Sequence, residues 1–140
     1  MVCALLGLAT SCGYVMAGTW EDDPENWDRY FETTKPGDVV VVHSKYSRLP
    51  HWTLEFRCFF EIVPTAELTN QLFTQNRLRR LMESEISEAE SLLGGEDVPG
   101  WFPEDLSRLE GWKYEGYPGS NFRLFVDPAT GHLFMTDEQI

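Results

Sequence analysis

The feature that most constrains the fold is the alternation of side chains between Trp52 and Val63. Every second residue from Trp52 onward is apolar, and most of the residues between them are polar; the apolar set is Trp52, Leu54, Phe56, Cys58, Phe60 and Ile62. A period of two places successive side chains on opposite faces of a β-strand. The segment is therefore predicted to be a long strand with one dry face, which another apolar surface must cover.

Four further segments are predicted to be strands. The residues 121–126 and 132–136 flank a loop, 127–131, in which a proline opens the turn and a glycine closes it. This pattern is typical of a β-hairpin. Val39–Ser44 is apolar on both sides of the chain at its start, which favours a central strand, and residues 112–117 suit an edge strand.

Helices are predicted on either side of the first two strands. Asp23 and Pro24 resemble a helix start, and the aromatic residues that follow recur at helical spacing: Trp27, Tyr30 and Phe31. A second helical stretch begins after Pro64, with Thr65 as its cap, and has a break near Asn76. The order of elements predicts an α+β fold: one domain over residues 13–140, with an antiparallel sheet of four to five strands and helices packed on one face.

Charge and motif content narrow the classes of function. The 140-residue chain carries 23 acidic and 11 basic residues, a formal charge of −12, so nucleic acid is a poor partner. None of the three histidines, His43, His51 and His132, lies within four residues of another histidine or of a cysteine, so no local metal-binding spacing exists. Phosphate-loop, dinucleotide and hydrolase-elbow motifs are also missing. We predict no cofactor, no metal and no catalytic residue.

The first charged residue is Glu21, and residues 1–12 are apolar or small. Leu8-Ala9-Thr10-Ser11-Cys12 resembles the lipobox of bacterial lipoproteins, which implies export, acylation of Cys12 and anchoring in the cell envelope. Leucine is usual where Ala9 stands, and no basic residue precedes the apolar stretch. The alternative is a packed N-terminal segment of a cytoplasmic domain. A membrane span is disfavoured because the stretch is short and contains glycines.

Two groups of residues are candidates for binding. Lys45, Arg48 and His51 gather basic side chains among aromatic residues, in a segment predicted to be a loop that interrupts the sheet. Trp101 and Trp112 lie beside glycines, where an exposed indole can contact a sugar, a peptide or another apolar partner.

These observations predict a small acidic lipoprotein that binds a protein or a small ligand and is not an enzyme. The alternative is a cytosolic antagonist, such as a toxin-neutralising immunity protein, whose charge attracts a basic enzyme. A third hypothesis is a small hydrolase in which two histidines and an acid meet in a cleft.

Overall fold

A computed structural model describes residues 17–50, 54–95 and 97–139, which form one mixed helix and sheet fold around a single antiparallel sheet. The strands lie in the order β1-β2-β3-β7-β6-β5-β4. Their bounds are β1 Gly18–Glu21, β2 Val40–Arg48, β3 Phe56–Val63, β4 Leu78–Arg80, β5 Glu110–Tyr114, β6 Arg123–Val126 and β7 Leu133–Gln139. The helices are α1 Asn26–Phe31, α2 Ala66–Gln75 and α3 Glu83–Leu92, and a single 3₁₀ turn spans Leu106–Arg108.

The antiparallel sheet is confirmed, but four to five strands was too low a number, because the sheet has seven. β1 and β4, the two strands that the sequence did not reveal, lie at its two edges. β4 has only three residues and falls where helical spacing was expected, and it makes β5 an internal strand rather than an edge. Segments this short have too few residues to show a period of two.

The first face of the sheet bears the larger core. The alternating side chains of β3 meet those of β7 and β6 here, and α1 and α2 cover them. Cys58, Phe60 and Ile62 are fully buried, as the pattern predicted. Leu68 and Leu72 of α2 pack against this cluster.

The opposite, second face bears another core, so the prediction that the helices pack on one face is wrong. Phe59, Phe125 and Phe134 project from neighbouring strands and are covered by Phe102. α3 and the 3₁₀ turn pack on the same cluster, chiefly through buried side chains such as Leu106. The three phenylalanines are isolated on mainly polar strand faces in the sequence. Only the pairing of the strands gathers them into an apolar patch that needs a cover.

Local signals at several turns are borne out. The Thr65 side chain accepts a hydrogen bond from the Leu68 amide at 3.1 Å, so α2 begins at the expected cap. The β6–β7 hairpin forms as predicted. Gly131 closes its loop with a φ of 75°, a left-handed conformation that glycine adopts without strain.

Candidate functional site

A pocket of about 470 Å³ opens on the first face, between the two helices that cover this face and the strands β4, β5 and β7. Its wall is mostly aromatic and aliphatic, with three polar side chains. The residues that line it are Tyr30, Phe31, Leu72, Asn76, Leu78, Tyr114, Tyr117, Ser120, Phe122 and Asp137. A pocket of this size with a largely apolar wall and a few polar groups is typical of a small-molecule site.

One carboxyl group stands among these apolar walls. The Tyr30 hydroxyl donates a hydrogen bond to Asp137 Oδ2 at 2.8 Å. Desolvation by the surrounding protein raises the pKa of Asp137, although the hydrogen bond from Tyr30 acts in the opposite direction. Burial and the neighbouring carboxylate raise the pKa of Tyr30, so its hydroxyl stays protonated and acts as a donor.

The sheet register explains why a carboxyl lies there. Leu133, Met135 and Asp137 are alternate residues of β7 and so share the first face. Leu133 and Met135 are buried in the core, and Asp137 is the next residue on the same face, at the edge of that core. α1 crosses this point and places Tyr30 over the carboxyl, with its ring against Phe60 at a centroid distance of 5.9 Å.

The rim of the pocket is formed by the segment between β5 and β6. Tyr114 ends β5, and Tyr117 and Phe122 belong to the connection that follows. Tyr117 is 68% exposed, which is unusual for so large a side chain that has apolar neighbours. None of the described residues that line this pocket is lysine, arginine or histidine.

The predicted basic segment does not form one surface. β2 continues through Lys45 and Arg48, where the sequence suggested an interruption, and the two side chains lie on opposite faces. Lys45 donates to the Asp97 carbonyl at 2.9 Å on the second face. The Arg48 guanidinium lies over the ring of Tyr46 on the first face, 5.6 Å from its centroid. His51 lies outside the described residues, as does Cys12, so the roles predicted for these residues stay predictions.

The two candidate tryptophans have separate surroundings. Trp101 stacks on His43 on the second face, with ring centroids 5.3 Å apart. Trp112 lies in β5 and packs edge-on against Phe73 of α2 at 4.9 Å, beside the aromatic pocket but not among its lining residues. Both are half-buried, so each contributes more to packing than its glycine-rich sequence context suggested.

The histidines that the structure describes are each paired with a carboxylate. His43 Nδ1 lies 3.2 Å from Asp22 Oδ1, and His132 Nδ1 lies 2.7 Å from Glu61 Oε1. His43 and Glu61 are also cross-strand neighbours, a proximity that sequence spacing could not reveal. Within residues 17–50, 54–95 and 97–139, no cluster of three potential metal ligands occurs.

A second, charged cleft of about 280 Å³ lies beneath α3 on the second face. Glu85 of α3 accepts hydrogen bonds there from Arg79 at 2.7 Å and from Lys113 at 2.8 Å. These two donors, chiefly Arg79, hold the pKa of Glu85 well below its usual range. Arg79 and Lys113 are directly opposite each other in the sheet, so Glu85 neutralises a repulsive pair and joins α3 to the sheet.

Comparisons with known proteins identify no relative: no protein-family model, curated protein or solved structure matches this chain. Over the part of the chain that the structure describes, none of the helices has the length and apolar character needed to cross a membrane. Function is therefore inferred from the geometry of the pocket.

Proposed function

We propose that this chain is a small-ligand-binding module whose site is the aromatic pocket on the first face of the sheet. The observation that supports this is the Tyr30–Asp137 pair, a half-buried carboxyl in a pocket of otherwise mostly apolar side chains. Apolar walls supply affinity when they lose water, and a single polar group fixes the orientation of the ligand. A carboxyl that lies in a cleft, with a pKa raised by burial and a specific hydrogen-bond partner, is a candidate for a functional site.

Binding is favoured over catalysis by the surroundings of the reactive side chains. His43 and Glu61 project from the second face, with the sheet between them and Asp137. Cys58 is fully buried, and desolvation raises the pKa of its thiol, which disfavours the nucleophilic thiolate. Asp137 accepts a hydrogen bond from Tyr30 and lies directly across the strands from Cys58, whose raised pKa disfavours the thiolate, so this pair does not supply an activated nucleophile.

The location of the module is a separate part of the proposal. Acylation of Cys12 would hold the domain at the bacterial envelope, with the aromatic pocket available to ligands outside the cytoplasm. The support is the lipobox-like sequence that ends at Cys12. Mass spectrometry of membrane fractions should detect an acylated cysteine, and the Cys12→Ser variant should become soluble. An identical distribution of parent and variant would contradict the lipid anchor.

Ligand binding can be tested on the full chain with a library of aromatic and aliphatic fragments, with changes in melting temperature as the readout. The Tyr117→Ala variant removes a rim side chain that is 68% exposed, and Met82→Ala removes one that is 60% exposed and lies outside the pocket. Neither variant should change the melting temperature of the free protein. We expect fragments that stabilise the parent to bind at least about 5-fold more weakly to Tyr117→Ala and equally well to Met82→Ala. A library without any binder, or binders that are indifferent to Tyr117, would contradict the proposal.

A further inference from the structure

We propose that the ligand of the aromatic pocket is an organic monocation with a methylated ammonium group, of the kind found in choline. This inference rests on the proposed function and specifies the chemistry of that site. It depends on the combination of aromatic side chains, one carboxyl group and the lack of a basic side chain among the described residues that line the pocket.

The aromatic side chains provide the first element of such a site. They come from three separate parts of the fold, which are α1, the end of β5 and the segment before β6: Tyr30, Phe31, Tyr114, Tyr117 and Phe122. The face of an aromatic ring carries negative electrostatic potential and attracts cations. Quaternary ammonium groups are the ligands that cages of aromatic side chains favour most.

The Asp137 carboxyl provides the second element. Oδ2 accepts from the Tyr30 hydroxyl at 2.8 Å, and Oδ1 accepts from the Glu138 amide at 2.9 Å. Each oxygen of a carboxylate can accept a further hydrogen bond or face a positive charge. Desolvation raises the pKa of Asp137 even though the hydrogen bonds from Tyr30 and Glu138 and the positive charge of Arg123 act in the opposite direction. A cation in the pocket would compensate further for that desolvation.

The pocket wall offers few hydrogen-bond acceptors, and this favours a methylated ammonium group over a primary one. A primary ammonium has three N–H donors and is strongly hydrated, so it loses much hydration when it enters an apolar pocket. Among the described residues that line the pocket, side-chain oxygens other than the tyrosine hydroxyls come from Asp137, Asn76 and Ser120 alone. A trimethylated ammonium has no N–H donor, so ring faces and one carboxylate satisfy it.

The net charge of the whole chain also favours a cationic ligand. A formal charge of −12 attracts small cations and repels anions at long range. The volume of about 470 Å³ is ample for a choline-sized molecule. An anionic ligand would meet Asp137 without a basic side chain from the lining residues to balance it.

The test compares two probes on the full chain by isothermal titration calorimetry at neutral pH. Choline carries the trimethylammonium group, and dimethylbutanol, its uncharged carbon analogue, has nearly the same shape. We expect choline to bind about 10-fold more tightly than dimethylbutanol, since cation–π and carboxylate attraction act on the charged probe alone. Equal affinity for the two probes would overturn the inference, and this comparison requires no variant.

Two variants with the same change of charge locate the effect. Asp137→Asn should clearly reduce the preference for choline, whereas Asp28→Asn, on an exposed site of the same helix as Tyr30, should leave it unchanged. Equal loss of preference in both variants would mean that only the overall charge matters, which overturns the inference. If fragments bind in a Tyr117-dependent manner but choline does not, the ligand class is wrong and the proposed function stands. If no fragment binds either, both fail.

Discussion

Truncation of Phe102 to alanine tests whether the second face of the sheet is a true core. Phe102 is 2% exposed and makes edge-on contacts with three rings, those of Phe59, Phe125 and Phe134, at centroid distances of 5.2, 6.5 and 6.0 Å. A buried phenylalanine that becomes alanine typically costs about 3 to 5 kcal/mol, because apolar burial is lost and a cavity is left. Three edge-on ring contacts favour the upper part of that range, so we expect a loss of about 4 kcal/mol in the free energy of unfolding.

The assay is urea unfolding at 25 °C, followed by circular dichroism and by tryptophan fluorescence. The midpoint should fall while the slope stays the same, since the surface exposed on unfolding is nearly unchanged. Phe102→Leu keeps much of the side-chain volume and should lose clearly less stability. Tyr117→Ala, on the exposed rim, should stay within about 0.5 kcal/mol of the parent. A loss below about 1 kcal/mol for Phe102→Ala would refute the assignment of a second core.

Three other perturbations have defined outcomes. Tyr30→Phe removes the hydrogen-bond donor to Asp137 and should lower the free energy of unfolding by about 1 to 2 kcal/mol at neutral pH. Urea unfolding at acid pH, where the carboxyl is protonated, should show a smaller loss. Because the pKa of Glu85 is lowered in the folded state, its ion pairs stabilise the protein fully above about pH 4.5, and this contribution is lost as the pH falls. Glu85→Gln should therefore flatten the dependence of the unfolding free energy on pH in the acid range. An unchanged slope would contradict the ion-pair network. Gly111→Ala places a methyl group 2.9 Å from Leu81 Cδ1 and should lower the free energy of unfolding by about 1 to 3 kcal/mol in thermal unfolding. An unchanged stability would mean that the backbone at residue 111 and the Leu81 side chain are farther apart.

The elements that were predictable from sequence are those with strong local patterns. β3 alternates between apolar and mainly polar residues, with Phe59 and Val63 as exceptions, and the β6–β7 hairpin has a turn sequence with one dominant conformation. Thr65 has the side chain and position of a helix cap. Each of these signals depends on neighbouring residues alone, so no knowledge of the tertiary structure is needed to interpret it.

The second core could not be predicted, because its members are distant in sequence. Phe59 looked like an exception on a polar strand face, and Phe125 and Phe134 looked like parts of short hairpin strands. β7 pairs with β3 although nearly the whole helical region separates them in the chain. That pairing brings the three rings to one face, and their need for a cover explains the position of α3.

The candidate pocket was missed for a similar reason. Tyr30 and Asp137 are 107 residues apart, and Asp137 lies in a run of polar residues at the end of the chain. One signal was available: Asp137 continues the alternation of Leu133 and Met135, which places a carboxyl on an apolar face. The sequence pattern instead indicated the tryptophans as binding residues, because indoles next to glycines suggest exposed loops.

The most direct test of the pocket is a pH titration of the Asp137 side-chain carboxyl, observed by carbon NMR in the free protein and with saturating choline. In the free protein, the structure predicts a pKa above the ordinary value of 3.8, because the carboxyl is largely removed from water. Choline should lower that pKa, since a cation beside the carboxyl stabilises its charged form. A pKa at or below 3.8 that choline does not change would mean that Asp137 is solvated and faces no ligand site.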